Sequence, residues 1–401
     1  MHDRTLLFAA AFLRAVATAL IGVLLGIYLA KLGFDPAAIG VVIAAGLSGA
    51  ATATLIATLA ADRAGRRRFL LALALLGAAG TAAVAVATQP LLLGAAAFFG
   101  MLNGMGRDRG AALALEQAML PATASDAGRT RVIAWSNVLQ DAGHALGSLL
   151  AVLPEALRRF AGVGDVTSFR LAVGVAALLL LVTAALYVGL SPAIEVHAGR
   201  TAAPLSRESR GVLIRICSLF ALDGLGGGFL TTALLSYFFF ERFGTPAGII
   251  GVLFFGARLA NAASHLGAAW LARRIGLVNT MVFTHVPSSL LLVTVAFAPS
   301  FPIAAGLFLL REGLVEMDVP TRQSYVMAVV RPAERTFASG VTYLVRLGAW
   351  AVAPSFAGIL MQGVSLATPL FIGAGMKIAY DVMLYAAFRH RRAPEERPAG
   401  P

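Results

Sequence analysis

The sequence predicts an all-α membrane protein with twelve transmembrane helices in two parallel six-helix repeats, and three observations carry that expectation. The first is composition: 59% of residues are hydrophobic, 13% are charged and mean hydropathy is +0.82. A soluble domain carries about 25% charged residues, so this chain has too little polar surface for water. The second is run length, since its apolar stretches repeatedly reach the roughly 20 residues a helix needs to cross hydrocarbon. In lipid each backbone polar group must be satisfied within its own segment or a closed barrel, and runs of this length mean helices. The third is a basic loop, Asp62-Arg63-Ala64-Gly65-Arg66-Arg67-Arg68, set between two apolar runs and echoed 211 residues later by Arg273-Arg274-Ile275-Gly276.

Taken in order, the first-half spans lie near Leu6–Ala30, Ala37–Ala60, Phe69–Thr88, Leu91–Leu115, Val132–Leu153 and Phe169–Leu190. The second-half spans lie near Val212–Phe240, Ala247–Ala272, Leu277–Ala298, Pro302–Val330, Phe337–Met361 and Pro369–Phe388. The first run carries Arg14 and lacks a small-residue cleavage site after a short apolar core, so it reads as an uncleaved span. The tenth is interrupted by Arg311, Glu312, Glu316, Asp318 and Pro320. Residues 1–190 then form one bundle, 191–211 a linker and 212–390 a second bundle. The Arg-, Pro- and Glu-rich stretch 391–401 is expected to be a disordered tail.

Basic residues orient the chain. Nineteen Arg side chains fall on one side and five Lys or Arg on the other, which places both termini in the cytoplasm of a cell-membrane protein and requires an even number of spans. The net charge of +12 is explained by these loops, because no basic face interleaved with aromatics is present to bind nucleic acid. The single cysteine, Cys217, excludes an internal disulfide or a thiolate metal cluster. His144, His265 and His285 lie on three spans without ligand spacing, so each is expected to pack through hydrogen bonds, and neither metal nor cofactor is expected. The halves also align internally. At the offset of 211, Gly33 matches Gly244, Gly40 matches Gly251 and the basic loops coincide; at 206, Gln117 matches Gln323 and Arg129 matches Arg335. Parallel six-span halves are a transporter arrangement.

With these residues in place, the chain resembles the major facilitator superfamily over essentially its whole length. The loop after span two is similar to the family's Gly-x-Leu-Ala-Asp-Arg-x-Gly-Arg-Arg signature at Asp62, Arg63, Gly65, Arg66 and Arg67, with Thr58 and Ala60 in place of glycine and leucine. The resemblance implies that this loop latches the cytoplasmic ends of the bundles, with Glu116 and Asp126 as candidate partners. The second copy has Arg273 where the aspartate stands, which implies a weaker latch. Gly143-His144-Ala145-Leu146-Gly147 loosely resembles the Gly-Pro-x-x-Gly stretch of antiporting members, with His144 at the proline. Asn103-Gly104-Met105-Gly106 is vaguely similar to another antiporter motif, whose arginine position is Gly100 here. The implied protein is a bacterial permease of the drug- or metabolite-efflux kind, working as a monomer.

Charges inside the spans are the remaining guide to cargo, because an unpaired one at the bilayer centre costs at least about 2.5–3.5 kcal/mol. Arg14, Asp141, Asp223, Arg258, Glu312, Arg346 and Lys377 fall near mid-membrane. Asp223, in Ala221-Leu222-Asp223-Gly224-Leu225-Gly226-Gly227-Gly228, is the leading candidate for proton coupling, followed by Asp141 and Glu312. The opposing reading for Asp223 is a fixed pair with Arg14 or Arg346. Arg14, Arg258, Arg311 and Arg346, with Tyr343 and Trp350 spaced seven apart on span eleven, are candidates for the substrate cavity. Convergent arginines would favour an anionic or zwitterionic substrate. Arg107-Asp108-Arg109 on span four points in several directions if that span is helical. The expected function is secondary transport of a small organic solute by alternating access, driven by the proton gradient and directed outward. An importer or uniporter of an organic anion is the alternative. A transporter-like sensor is the alternative of another class, although neither end carries a sizeable soluble extension. No enzymatic constellation is found.

Overall fold

The computed structural model describes residues 2–124, 129–195, 207–317 and 334–388. Among them are fifteen α-helices: α1 His2–Lys31, α2 Pro36–Ala64, α3 Arg66–Val86, α4 Pro90–Phe99, α5 Ala111–Met119, α6 Arg129–Leu149, α7 Leu153–Ala161, α8 Asp165–Val188, α9 Arg207–Gly228, α10 Thr232–Phe243, α11 Ala247–Ile275, α12 Leu277–Ala296, α13 Phe301–Val315, α14 Arg335–Gly363 and α15 Thr368–Phe388. Nine stretches are long and apolar enough to span a membrane, with α9 and α10 acting as one. Span four (α4 and α5), span five (α6) and span ten (α13) complete the twelve. The expected end of span ten lies outside the described residues.

Local signals set the boundaries. Asp35 precedes Pro36 and accepts a hydrogen bond from the Ala38 amide at 2.8 Å, capping α2 where proline needs no partner. Thr231 caps α10 through the Leu234 amide at 3.2 Å. The internal repeat is visible in the backbone: Gly33 and Gly244 have φ of 87° and 61°, and Gly65 and Gly276 have 95° and 88°. Matched positions therefore turn the chain through the left-handed region that glycine tolerates.

One expected span differs. Instead of a continuous helix over Leu91–Leu115, the chain unwinds between Phe99 and Ala111. Met101 has φ 51° and Gly106 φ 65°. The unwound backbone is pressed against neighbours, since a Cβ on Gly22 would overlap Gly106 and one on Gly46 would overlap Leu102. Its carbonyls find partners at the start of α10: the Ala233 amide donates to Gly104 O at 3.0 Å and Thr232 Oγ1 to Met105 O at 2.7 Å. Non-helical backbone at membrane depth is tolerated where protein buries it. Arg107-Asp108-Arg109 consequently lies on an irregular segment, and the helical-face argument does not apply to it.

The chain divides into two compact units. Unit one is Met1–Gly199, Thr231–Phe255 and Pro354–Leu366; unit two is Arg200–Leu230, Gly256–Ala353 and Ala367–Pro401. Unit one thus takes in two segments of the second half. Its axis is α1, in which every residue from Ala19 to Leu29 is buried, as suits a helix apolar all round. Unit two is centred on Leu213, Ile216, Phe220, Met281, Tyr380 and Leu384. Outward-facing Leu59, Leu91, Phe99, Phe160 and Phe297 are more than 60% exposed, an apolar surface that lipid would cover.

Candidate functional site

Among the described residues, a buried charge cluster that joins several helices stands out within each unit. In unit two, Asp223 on α9 is 1% exposed and meets two cations. Lys377 Nζ on α15 lies 3.0 Å from Oδ1, and an Arg346 guanidinium nitrogen on α14 lies 3.1 Å from Oδ2. The glycines around Asp223 make this possible. A Cβ at Gly224 would come within 2.8 Å of the Ala349 side chain, and one at Gly227 within 2.9 Å of Trp350 Nε1. Without side chains there, α14 approaches closely enough for Arg346 to reach the carboxylate. The cluster continues through Lys377 Nζ to His285 Nε2 on α12 at 3.4 Å. His285 Nδ1 faces both oxygens of the fully buried Asp381 at 3.0 Å. Lys377 and Asp381 are four apart on α15 and share its face.

This geometry restricts the protons. A neutral imidazole has one donor and one acceptor nitrogen. If Lys377 is charged, its N–H points at Nε2, so Nε2 accepts and the proton on Nδ1 is donated to Asp381. A proton on both ring nitrogens would set two N–H groups against each other between His285 and Lys377. Imidazolium formation therefore requires Lys377 to withdraw towards Asp223 or to give up its proton.

In unit one, Arg14 on α1 is 7% exposed and bridges two carboxylates. Its Nε donates to Asp108 at 2.5 Å, and its terminal nitrogens donate to the two Glu116 oxygens at 2.7 and 2.6 Å. Tyr187 on α8 donates to Glu116 at 2.5 Å. A cavity of about 100 Å³ opens beside this cluster, with Arg14, Thr18, Thr81, Asn103, Asp108 and Tyr187 among its lining.

The other expected residues are distributed as follows. Glu312, next to Arg311 on α13, contacts that arginine and accepts from Asn261 Nδ2 on α11 at 2.9 Å. Arg258 is half-buried one turn before Asn261. Trp350, one turn beyond Arg346, offers its ring to the guanidinium at 5.0 Å, and Tyr343 is half-buried on the same helix. Asp141 is exposed on α6. Gly143 and Gly147 serve close packing: a Cβ at Gly143 would sit 2.7 Å from Phe12 O, and one at Gly147 would overlap Val16 O.

In the basic loop, Arg66 binds Asp62 at 2.7 Å and the Ala118 carbonyl at 3.3 Å. Arg67 donates to Val188 O at 2.5 Å and, through its backbone amide, to Glu195 at 3.3 Å. Glu195 also approaches Gly65, while Arg63 is exposed. Glu116 is not a partner of this loop: it lies on the α5 face turned to α1, where Arg14 and Tyr187 hold it. Asp126 lies outside the described residues. Sequence reasoning passed over Lys377, His285 and Asp381 as a group, although the i, i+4 spacing of Lys377 and Asp381 was a usable signal. Asp108 and Tyr187 carried no comparable signal, because their convergence depends on the break in span four.

A polytopic bundle with two matched halves, an unwound span and buried ionisable clusters is the build of a secondary transporter. The Major Facilitator Superfamily profile matches residues 7–310, and the chain belongs to that family of transporters. It is 24% identical to the uncharacterized membrane protein YJR124C of Saccharomyces cerevisiae, over 96% of this chain and 94% of that one. Among solved structures it is similar to the nucleoside transporter NupG, with TM-score 0.76 and 17% identity over 98% of this chain and 100% of that chain. It is similar to a POT family transporter solved with 5-aminolevulinic acid, with TM-score 0.72 and 14% identity over 96% and 95% of the two chains. It also resembles the human organic anion transporter MFSD10, with TM-score 0.62 and 18% identity over 96% and 99%.

Proposed function

We propose that this multi-pass transporter exports a small organic solute by alternating access, coupled to proton movement through Asp223, Lys377, His285 and Asp381. The observation that carries the reading is the placement of Lys377 Nζ, 3.0 Å from Asp223 and 3.4 Å from His285. One added proton on His285 requires Lys377 to withdraw from the imidazole or to give up its own proton, and Lys377 is one of the links between α15 and α9, at Asp223. Proton binding is thereby tied to helix position, which is what coupling requires. Glu312 and Asp141 are weaker candidates, the first being engaged by Asn261 and Arg311 and the second exposed. Arg14, Arg311 and Arg346 each face a carboxylate, which supports a neutral or zwitterionic solute over a strongly anionic one. Export is the direction suggested by the Gly143–Gly147 stretch. The basic loops favour a cell-membrane protein with both termini in the cytoplasm.

The test is uptake into proteoliposomes under imposed pH gradients, with nucleosides, amino acids, small peptides and sugars as the probe panel. Asp223→Asn and His285→Gln are expected to retain solute exchange but lose its response to the pH gradient. Gradient dependence equal to that of the unaltered protein in both variants would overturn the reading.

A further inference from the structure

The second amide of an α-helix has no partner within its own helix, so its acceptor must come from elsewhere. In α2 that amide belongs to Ala37, and in α11 to Gly248, which matches Ala37 at the offset of 211. Each finds its acceptor on a helix of the opposite half. Gly248 donates to Glu155 Oε1 on α7 at 3.1 Å, and Ala37 donates to Gln362 Oε1 on α14 at 3.3 Å. The packing behind these bonds repeats as well. A Cβ on Gly40 would lie 2.3 Å from Pro354 O, and one on its match Gly251 would lie 2.3 Å from Ser148 O. Ser148 and Pro354 match at the offset of 206, and at that offset Glu155 and Gln362 fall one place apart. One contact is therefore built twice, between α2 and α14 and between α11 and the α6–α7 stretch. All of these residues belong to unit one. Both helix starts lie at the end of the bundle opposite the basic loops, because α2 runs on to Ala64 and α11 to Ile275.

The two contacts differ in charge, and the local sequence gives the reason. Asp35 already caps α2 through the Ala38 amide at 2.8 Å. The matched position before α11 is Pro246, whose side chain has no acceptor. A helix N-terminus carries about half a positive charge and favours a carboxylate, whereas two carboxylates side by side repel. The helix with its own aspartate receives the neutral Gln362, and the helix without one receives Glu155. Gly248 completes the fit, since a Cβ there would come within 2.7 Å of Glu155 Oε2. We infer that Glu155 and Gln362 are paired latches, positioning residues that hold the two halves shut at the end opposite the basic loops. Opening that end takes Glu155 from Gly248 and Gln362 from Ala37. It leaves α2 capped by Asp35 and α11 without a side-chain cap, so Glu155 is the stronger latch.

This inference rests on alternating access and not on proton coupling at Asp223, and it is testable without substrate. The reporter is Ser148→Cys in a Cys217→Ser background, because Ser148 is buried at the α6–α11 seam. Purified protein in lipid nanodiscs is labelled with a maleimide. Glu155→Ala is expected to raise the labelling rate about fivefold, the change in equilibrium that loss of one cap produces. Glu155→Gln, which keeps an acceptor, is expected to raise it less. Gln362→Glu is expected to raise it too, by setting a second carboxylate beside Asp35, although the reporter sits at the other seam. Adding Asp35→Asn to Gln362→Glu is expected to return the rate towards that of the reporter protein, a rescue that a merely structural role for Gln362 does not provide. Should Glu155→Ala fail to fold, the Gln362→Glu and Asp35→Asn pair carries the test. An unchanged rate in Glu155→Ala, or a double variant labelled as fast as Gln362→Glu alone, would overturn the latches. The expected labelling pattern, found together with unaltered gradient dependence in Asp223→Asn and His285→Gln, would uphold the latches and remove only the proton coupling.

Discussion

Lys377 illustrates how much one side chain can do in lipid. Its ammonium lies between Asp223 and His285, whose imidazole is held on its other nitrogen by Asp381. Removing one partner of a buried ion pair leaves the other uncompensated, at a cost of about 3–5 kcal/mol. Lys377→Met leaves Asp223 paired with Arg346 at 3.1 Å but removes the contacts of the ammonium with Asp223 and His285, and is expected to lower the thermal stability of the detergent-purified protein. The double variant Lys377→Met/Asp223→Asn, which also takes the carboxylate from Arg346, is expected to recover none of that loss in the same melting measurement. The basic loop offers a second case at this scale. Arg67 reaches Val188 O and Glu195 meets the Arg67 amide, so Glu195 is a polar partner that motif reasoning assigned to Glu116. The motif residues were legible from their order in the chain; the partner was not, because it comes from 128 residues further along.

Among the helices, the informative feature is close approach. In unit one, a Cβ on Gly358 of α14 would overlap Pro36 O, and one on Gly40 of α2 would come within 3.0 Å of Gly358 Cα. In lipid, such small-residue seams are what allow helices to associate. Gly358→Leu is expected to separate α2 from α14, measured as a higher labelling rate of a cysteine introduced at Gln362 with a maleimide; an unchanged rate would count against the seam. Span four belongs to this scale too. Its apolar content made it look like a continuous helix, yet Gly100, Gly104, Gly106 and Gly110 mark where it unwinds. Those glycines were visible in the sequence, but glycine is common in membrane helices, and only the crowding of Gly22 against Gly106 distinguishes a break from a packing site.

For the molecule as a whole, the repeat and the charge bias make the strongest prediction. With Cys217 replaced by serine, a cysteine at Arg159 is expected to react with a membrane-impermeant maleimide in intact cells. A cysteine at Arg68 is expected to react only after permeabilisation. The reverse pattern would invert the orientation. The repeat was read from matched glycines, and their positive φ values at Gly33, Gly65, Gly244 and Gly276 explain why the match exists. Each marks the same turn in its half, a conformation other residues adopt only under strain.

Class, span number and the superfamily were determined by the sequence alone, because burial in lipid imposes constraints that act along the chain: run length, loop charge and turn glycines. Which charges neutralise which was decided by the tertiary structure. Arg14 could have reached Asp223 as plausibly as Asp108 when judged from depth in the membrane, and Lys377 could have been a snorkelling side chain. Ion pairs form between helices distant in sequence, and their partners are chosen by helix rotation, by glycines that admit a neighbour and by a break in span four that brings Asp108 to α1. None of these has a period or a spacing that the chain displays by itself.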